Sequence, residues 1–506
     1  MNLELGGRRL YLAVAACALV VYVGALWNRF VYDDIAIIAL NPLVHDASGI
    51  WRAFVEPYWP GNLSGTLYRP LPIATFALDW QLGSPAWFHA VNVLLHAGVS
   101  VVVAVLARRW AGDRAALLAG LLFAVHPVHV EAVAYVVGRS ELMAALFVFL
   151  AVYAAVVRQS VGWTAAAMVG GILSKENAVV APPLILLAWA VRLAPWPDRR
   201  RLIAFGVSWL LLGAAYAALR WSVLHPYAGF HPLAPQFLGQ SPVAIRLTAV
   251  AAFFDVVRLL LFPLHLQADY SPDSRVTITT PSDSRFLLGV ACLVLWGALL
   301  AFTWRRGRRV ETFGLALIGV AYFPVANLLF PHSVVVAERL LYLPSAGLAL
   351  AAGARARQLQ PRAFAALTVV IVVLGGIRSA LRVPAWRDNR AATANLIDDA
   401  PDSYRTWDYV GWEFLWANRP AQALEAFRRA GTIYGADGRI HVASAHMAYV
   451  VGRTTLVDSL LARADSACPR CPTMYRNQAG AARMRGDTAA ARLLLTHAER
   501  VGAQAR

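Results

Sequence analysis

Charge is scarce in this chain: only 15% of its 506 residues are Asp, Glu, Lys or Arg. An ordinary soluble domain carries about 25%, so that class is excluded. Cysteine is scarcer still, at four residues, which rules out a disulfide scaffold. Acidic residues are outnumbered by basic ones, 29 against 46, for a net charge of +17. Such an excess can suit a nucleic acid, but the arginines fall in short runs between apolar segments, so topology explains them and no nucleic-acid partner is expected. What remains is hydrophobic, 59% of residues with a mean hydropathy of +0.53, the composition of an integral membrane protein.

Apolar stretches of spanning length, about 17 to 25 residues, can be drawn near 10–27, 87–107, 115–137, 141–157, 162–176, 177–193, 202–220, 247–264, 286–303, 312–330, 334–352 and 363–381. Basic clusters stand at Arg8-Arg9, Arg108-Arg109, Arg199 to Arg201, Arg305 to Arg309 and Arg355 to Arg362. The positive-inside rule places all of them in the cytoplasm, which requires that one segment between Arg201 and Arg305 does not cross. The stretch 247–264 carries Asp255 and Arg258 and runs into Phe-Pro-Leu-His (262–265), so it reads as a re-entrant or interfacial helix. About 11 crossings follow, with the N-terminus in the cytoplasm and the C-terminus outside. The first segment lacks a small-residue cleavage site and reads as a retained helix.

From about residue 387 the hydropathy falls. Asn418, Gly452 and Gly486 recur at 34 residues, and so do Ala430, Ala464 and Ala498, the period of tetratricopeptide repeats. The organisation expected is a membrane domain over 1–386 with a first outer loop at about 31–86, a linker at 387–403, and about three degenerate repeats over 404–506, an α-solenoid outside the membrane. Cys468 and Cys471 form a C-x-x-C between the second and third units; it lacks the second half of a four-ligand zinc site, which leaves a local disulfide or a pair of inert thiols. Cys17 and Cys292 lie in spans as small hydrophobes.

Ionisable groups in the membrane half collect at its outer side. A charge inside a bilayer costs at least ~2.5 kcal/mol, so such groups face an internal cavity and mark function, or pair as structural residues. Asp33 and Asp34 stand side by side where the first apolar segment ends and are the candidate catalytic pair. Arg69, Arg139, Lys175 and Arg339 are candidates for holding a phosphate, Arg by bidentate bonds and Lys as a point charge. His126 and His129, three apart and on one face if helical, can donate to the same phosphate or bind a metal with Asp34. The loop at 31–86 holds Trp51, Tyr58-Trp59-Pro60-Gly61 and Trp80, which suit either interfacial helices roofing a site or a plain aromatic belt.

The strings Val-Tyr-Asp-Asp (31–34), Tyr-Arg-Pro-Leu (68–71), Phe-His-Ala-Val-Asn-Val-Leu-Leu-His (88–96), His-Pro-Val-His-Val-Glu-Ala-Val-Ala (126–134), Val-Gly-Arg-Ser-Glu-Leu (137–142), Leu-Ser-Lys-Glu-Asn (173–177), Leu-Phe-Pro-Leu-His-Leu-Gln-Ala-Asp-Tyr (261–270) and Ala-Glu-Arg-Leu-Leu-Tyr-Leu-Pro-Ser (337–345) resemble the transmembrane and tetratricopeptide repeat-containing O-mannosyltransferases. The resemblance covers essentially the whole chain, and the order of eight motifs is more specific than any one. It implies a mainly α, GT-C-type glycosyltransferase fold. The activity implied is inverting transfer of a sugar, mannose by the family name, from a polyprenyl-phosphate carrier to a hydroxyl of a protein or glycan acceptor on the outer side. Asp33 and Asp34 occupy the place of that fold's acidic catalytic motif. Arg69, His126, His129, Arg139, Lys175, Glu176 and Arg339 become the donor-binding set, and the repeats would hold the acceptor. The Ala- and Arg-rich composition suits a bacterial chain in the inner membrane, with an undecaprenyl carrier.

The chemistry fits the residues on its own terms. Transfer from a lipid phosphate needs a carboxylate to take the acceptor's proton and cations to stabilise the departing phosphate. One Asp would act as base while the other orients the acceptor or raises its partner's pKa. The pair would serve a divalent cation, Mg or Mn, equally well. Two rivals are a repeat scaffold anchored in the membrane, against which the charged set in an apolar setting argues, and a lipid-linked-sugar transporter, whose matching halves are not seen here.

Overall fold

The computed structural model describes residues 7–60, 67–227, 233–261, 263–469 and 471–504. Gly61 of the expected aromatic loop, Phe262 of the 261–270 motif, residues 1–6 at the N-terminus and 505–506 of the expected repeats lie outside the described residues. Among the described residues the elements are helices, with no β-strand. Six are long and apolar enough to cross a membrane: Gly7–Trp27, Pro85–Ala111, Val136–Val156, Arg199–Leu224, Ser284–Arg305 and Pro361–Trp386.

A seventh follows if Asp113–Val125 and Pro127–Ala134, bent by 48° across His126, form one broken span. The break is local chemistry, because a residue before proline is pushed out of the α region, and His126 sits at φ −66°, ψ 122°. The expectation that His126 and His129 share a helical face is corrected by this: His129 closes a 3-10 turn, Pro127–His129.

Other apolar stretches fold shorter than drawn. Val161–Ser174 and Glu176–Ala190 are short apolar helices. The stretches 312–330 and 334–352 are α-helical only over Arg309–Tyr322 and Tyr342–Ala356. Between them Asn327 turns the chain at φ +58° and accepts the His332 N–H at 2.6 Å, building a loop that delivers Glu338 and Arg339. The 247–264 stretch forms the helix Pro242–Leu261, which is not among the six; its Asp255 is bonded by Arg275 at 2.6 Å and lies 3.5 Å from Arg258.

The helices 85–111, 113–125, 139–156 and 342–356 share one core with the first helix. In Val136–Val156, 72% of the apolar window is buried, against 6% in Arg199–Leu224 and 11% in Ser284–Arg305, so the last two helices leave their apolar sides uncovered. Helices 309–322 and 342–356 meet backbone to backbone: a Cβ on Gly347 would fall 2.2 Å from the Gly314 carbonyl oxygen. Gly347→Val is therefore expected to cost at least ~1–3 kcal/mol by overpacking. Thermal unfolding in detergent would show it, with Gly98→Ala, whose Cβ meets nothing within 4 Å, as the neutral control.

Beyond the membrane half, the expected linker 387–403 is mostly a helix, Asn389–Asp399, because Asp388 caps it by accepting the Ala391 N–H at 2.8 Å. Three helix pairs follow. Their first members, Tyr404–Trp416, Gly438–Val450 and Pro472–Met484, start 34 residues apart, and so do their second members, Pro420–Ile433, Thr454–Ala467 and Thr488–Gln504. Asn418, Gly452 and Gly486 occupy the same turn of each pair at φ 58°, 76° and 84°, a conformation that favours Gly or Asn. Ala430, Ala464 and Ala498 are buried at the matching position. A disulfide joins Cys468 to Cys471.

Candidate active site

The chain leaves the first helix at Trp27 and turns at Tyr32, which lies in the left-handed region at φ +46°. Asp34 is fully buried and serves the backbone. Its Oδ2 accepts the Val31 N–H at 3.1 Å and its Oδ1 accepts the Val137 N–H at 2.9 Å, which pins the acidic loop to the turn Val136–Gly138. Only glycine fits at 138, since a Cβ there would stand 2.3 Å from the Ala132 carbonyl oxygen.

Asp33 is partly exposed, and its N–H donates to the Tyr135 hydroxyl at 2.9 Å. Burial pushes the Asp33 carboxyl above its ordinary pKa, against the pull of Arg339, the Tyr135 hydroxyl and Arg405. Burial also raises Asp34, to about 8, opposed by its N–H partners and reinforced by the Asp33 charge. The two residues thus differ in setting: Asp34 is fully buried with both oxygens bonded to the backbone, and Asp33 is the more exposed of the two.

The motifs separated in sequence pair with one another around this loop. Arg339 donates its backbone N–H to Glu131 at 2.8 Å and its guanidinium to the same carboxylate, while remaining about one-third exposed. Glu338 accepts the Gln267 N–H at 2.5 Å and the Tyr270 hydroxyl at 3.0 Å. Arg69 is paired with Glu176, its Nε 2.9 Å from the carboxylate, and lies 5.4 Å over the Tyr58 ring. Lys175, the only lysine in the chain, is paired with Glu141, both nearly buried.

Arg139 is fully buried and ion-paired with Asp79 at 2.5 Å, with further bonds to Asn92 and Phe88 O at 2.9 Å and Thr75 at 3.1 Å, so four of its five N–H donors have partners within the protein. His126 Nε2 lies 3.0 Å from Leu260 O and His129 Nε2 lies 2.7 Å from Ser345 Oγ, and the turn that carries His129 packs against the turn Glu338–Leu341 that carries Arg339. Both rings are buried, 5.5 Å apart, beside Phe123 and Tyr342. Among the described residues no group of three or more His, Cys, Asp or Glu side chains is arranged to hold a metal, and both oxygens of Asp34 are already engaged by backbone N–H groups.

Sequence reading missed Tyr135, Arg405, Tyr409 and Trp386, and named Tyr58 only within the aromatic loop and not as the ring under Arg69. Tyr135 directly follows the 126–134 motif and precedes the 137–142 motif, so its position between two strings was the available signal. Arg405 and Tyr409 lie in the C-terminal half, where the repeat period drew attention away from individual polar side chains.

Comparison with known proteins finds no matching family model. Curated relatives include protein O-mannosyl-transferase TMTC3 of Mus musculus, 28% identical over 480 residues, covering 85% of this chain and 51% of the relative. Protein O-mannosyl-transferase TMTC4 of Mus musculus is 28% identical over 489 residues, covering 82% of this chain and 65% of that one. Protein O-mannosyl-transferase F38B6.6 of Caenorhabditis elegans is 28% identical over 361 residues, covering 68% of this chain and 51% of the relative. The relatives thus carry the name of the group that the motifs resemble, and the chain spans between half and two thirds of their length. Among solved structures, ArnT from Cupriavidus metallidurans bound to undecaprenyl phosphate matches with a TM-score of 0.44 at 17% identity, covering 93% of this chain and 79% of that one.

Proposed function

We propose that this chain is a GT-C-type membrane glycosyltransferase that moves mannose from a polyprenyl-phosphate carrier to a hydroxyl of a protein acceptor at the outer membrane face, with inversion. The single observation that carries this reading is Asp33: a partly buried residue beside the Tyr135 hydroxyl, its carboxyl within electrostatic range of Arg339 and Arg405, on a loop anchored by Asp34. The names of the relatives support the sugar and the protein acceptor.

In this mechanism the acceptor oxygen attacks the anomeric carbon, its proton passes to Asp33, and the bond from that carbon to the phosphate oxygen breaks. The leaving phosphate takes the bonding electrons and meets Arg339, with Arg69 and Lys175 as further cations on the same side of the membrane core. Asp34 and Tyr135 hold Asp33 in place. The accompanying topology has 11 crossings, a cytoplasmic N-terminus, helix 242–261 at the interface and tetratricopeptide-type repeats outside, in a bacterial inner membrane.

The test is transfer of label from polyprenyl-phosphate mannose to a pool of Ser/Thr peptides by the full chain in proteoliposomes, with and without EDTA, using Asp33→Asn/Asp34→Asn as the inactive comparison. Label transfer that survives EDTA and vanishes in the double variant is the expected result. Equal labelling by both proteins would end the assignment.

The raised carboxyls add a pH prediction. The base works only when ionised, so the rate should fall as pH falls, along a limb whose apparent pKa lies above the ~4 of a free aspartate. A limb at or below that value would mean that the base is fully solvated.

A further inference from the structure

Tyr32 immediately precedes the acidic pair and sits at φ +46°, a backbone conformation that a tyrosine keeps only when its surroundings hold it there. Three contacts do so, and all come from beyond residue 385. The Tyr409 ring stacks on the Tyr32 ring, centroids 4.3 Å apart and planes 29° from parallel. The Trp386 indole meets it edge-on at 6.4 Å. The Asn389 side-chain oxygen accepts the Tyr32 N–H at 2.8 Å.

Trp386 also stacks on Tyr135 at 4.9 Å, the residue whose hydroxyl receives the Asp33 N–H. The helix that carries Tyr409, Tyr404–Trp416, is itself seated on the outer segment 267–273. The Tyr404 N–H donates to Pro272 O at 2.6 Å, the Asp273 N–H to Asp402 O at 2.8 Å, and the Ser403 hydroxyl to Asp269 at 2.7 Å.

We infer that the first helix of the repeat unit is part of the active site, and that Tyr409 is a positioning residue that fixes the backbone of the Asp33–Asp34 loop through its stack on Tyr32. The inference rests on the proposed catalytic use of Asp33. The repeat unit then acts on the chemistry as well as on any acceptor it holds: the carboxylate is correctly placed only while helix 404–416 is seated. A tether between two independent parts would require none of these contacts at Tyr32.

The experiment measures steady-state transfer from polyprenyl-phosphate mannose to Ser/Thr peptides for the full-length Tyr409→Ala, Tyr409→Phe and Asn389→Ala variants in lipid nanodiscs, beside Asp33→Asn. Misplacing a catalytic group by about an ångström costs about 100-fold, so Tyr409→Ala is expected to lose roughly 10- to 100-fold in kcat, with the donor KM within about twofold of wild type. Its acid limb should move, because the carboxyl changes surroundings, whereas Tyr409→Phe keeps the stack and should retain wild-type kcat and pH profile.

Wild-type kcat and pH profile in Tyr409→Ala, with Asp33→Asn inactive, would overturn the inference and leave the proposed function standing. Wild-type transfer by Asp33→Asn would remove that function and the inference with it. A Tyr409→Phe variant as impaired as Tyr409→Ala would assign the effect to the hydroxyl and overturn the stacking role. Should Tyr409→Ala lose its monodisperse elution peak, Asn389→Ala decides, being expected to lower kcat in the same manner through the Tyr32 N–H.

Discussion

Asp33→Asn is expected to lower the rate of sugar transfer by about 10²–10⁴-fold, the usual contribution of a positioned general base, with little change in donor affinity. The amide preserves the shape of the side chain, and the backbone N–H that donates to Tyr135 is untouched, so the loop should stay where it is. Asp34→Asn should behave differently. Asp34 accepts two backbone N–H groups with its two oxygens, and an amide offers one oxygen in their place. One buried N–H then faces a donor, which costs about 1–3 kcal/mol and loosens the loop. The expected pattern is loss of rate with normal stability for Asp33→Asn, and loss of stability with a smaller loss of rate for Asp34→Asn. Single-turnover transfer and thermal unfolding on the same preparations would separate them, and the reverse pattern would make Asp34 the base.

Arg139→Met should have the largest effect on stability. Arg139 and Asp79 are a buried ion pair, and removing one partner leaves the other charge uncompensated, at about 3–5 kcal/mol. The guanidinium also bonds Asn92 and Phe88 O, tying helix 139–156 to helix 85–111. Arg139→Met/Asp79→Asn should recover part of the loss, because the stranded carboxylate is gone. Loss of the folded elution peak in the single variant with recovery in the double is the expected observation. A stable Arg139→Met protein with weakened donor binding would instead keep Arg139 in the phosphate-binding set.

The two arginine fates illustrate what residue order conveys and what it withholds. That Arg139 and Arg339 stand at the ends of apolar segments followed from hydropathy and charge alone. Which of them is enclosed did not, because Asp79 lies 60 residues before Arg139, in the helix that the Tyr-Arg-Pro-Leu motif opens but beyond the motif itself. Short range was read better. The 34-residue period placed Asn418, Gly452 and Gly486 in equivalent turns, and their shared positive φ is the backbone form of that period. Helix breaks escaped because a hydropathy window averages over them: Pro127 interrupts one apolar run, and the 3-10 turn Phe323–Val325, which holds Pro324, ends the helix in the run drawn over 312–330. The acidic pair was visible as a local anomaly, whereas the rings that surround Tyr32 converge from positions over 350 residues away, beyond any local pattern.

The chain's tolerance of insertion should be graded along its C-terminal part. Residues 386–409 are fixed at both ends, by stacking at Trp386 and Tyr409 and by backbone bonds to 272–273, so a single added residue there would throw helix 404–416 out of phase with the membrane half. The turn at 434–437 is held too, the Tyr434 hydroxyl donating to Pro235 O and the Tyr404 hydroxyl to Asp437, whereas the later pairs pack on their neighbours and the turn at 451–453 joins helices without reaching the acidic loop. Stacked units of this kind pass distortion chiefly to their neighbours, though here Arg485 of the third pair also reaches Leu415 O and Asn418 of the first. The array can therefore lengthen, shorten or diverge at its distal end while the end nearest the membrane keeps one fixed register, which separates the part of the protein free to change what it meets from the part that must not move.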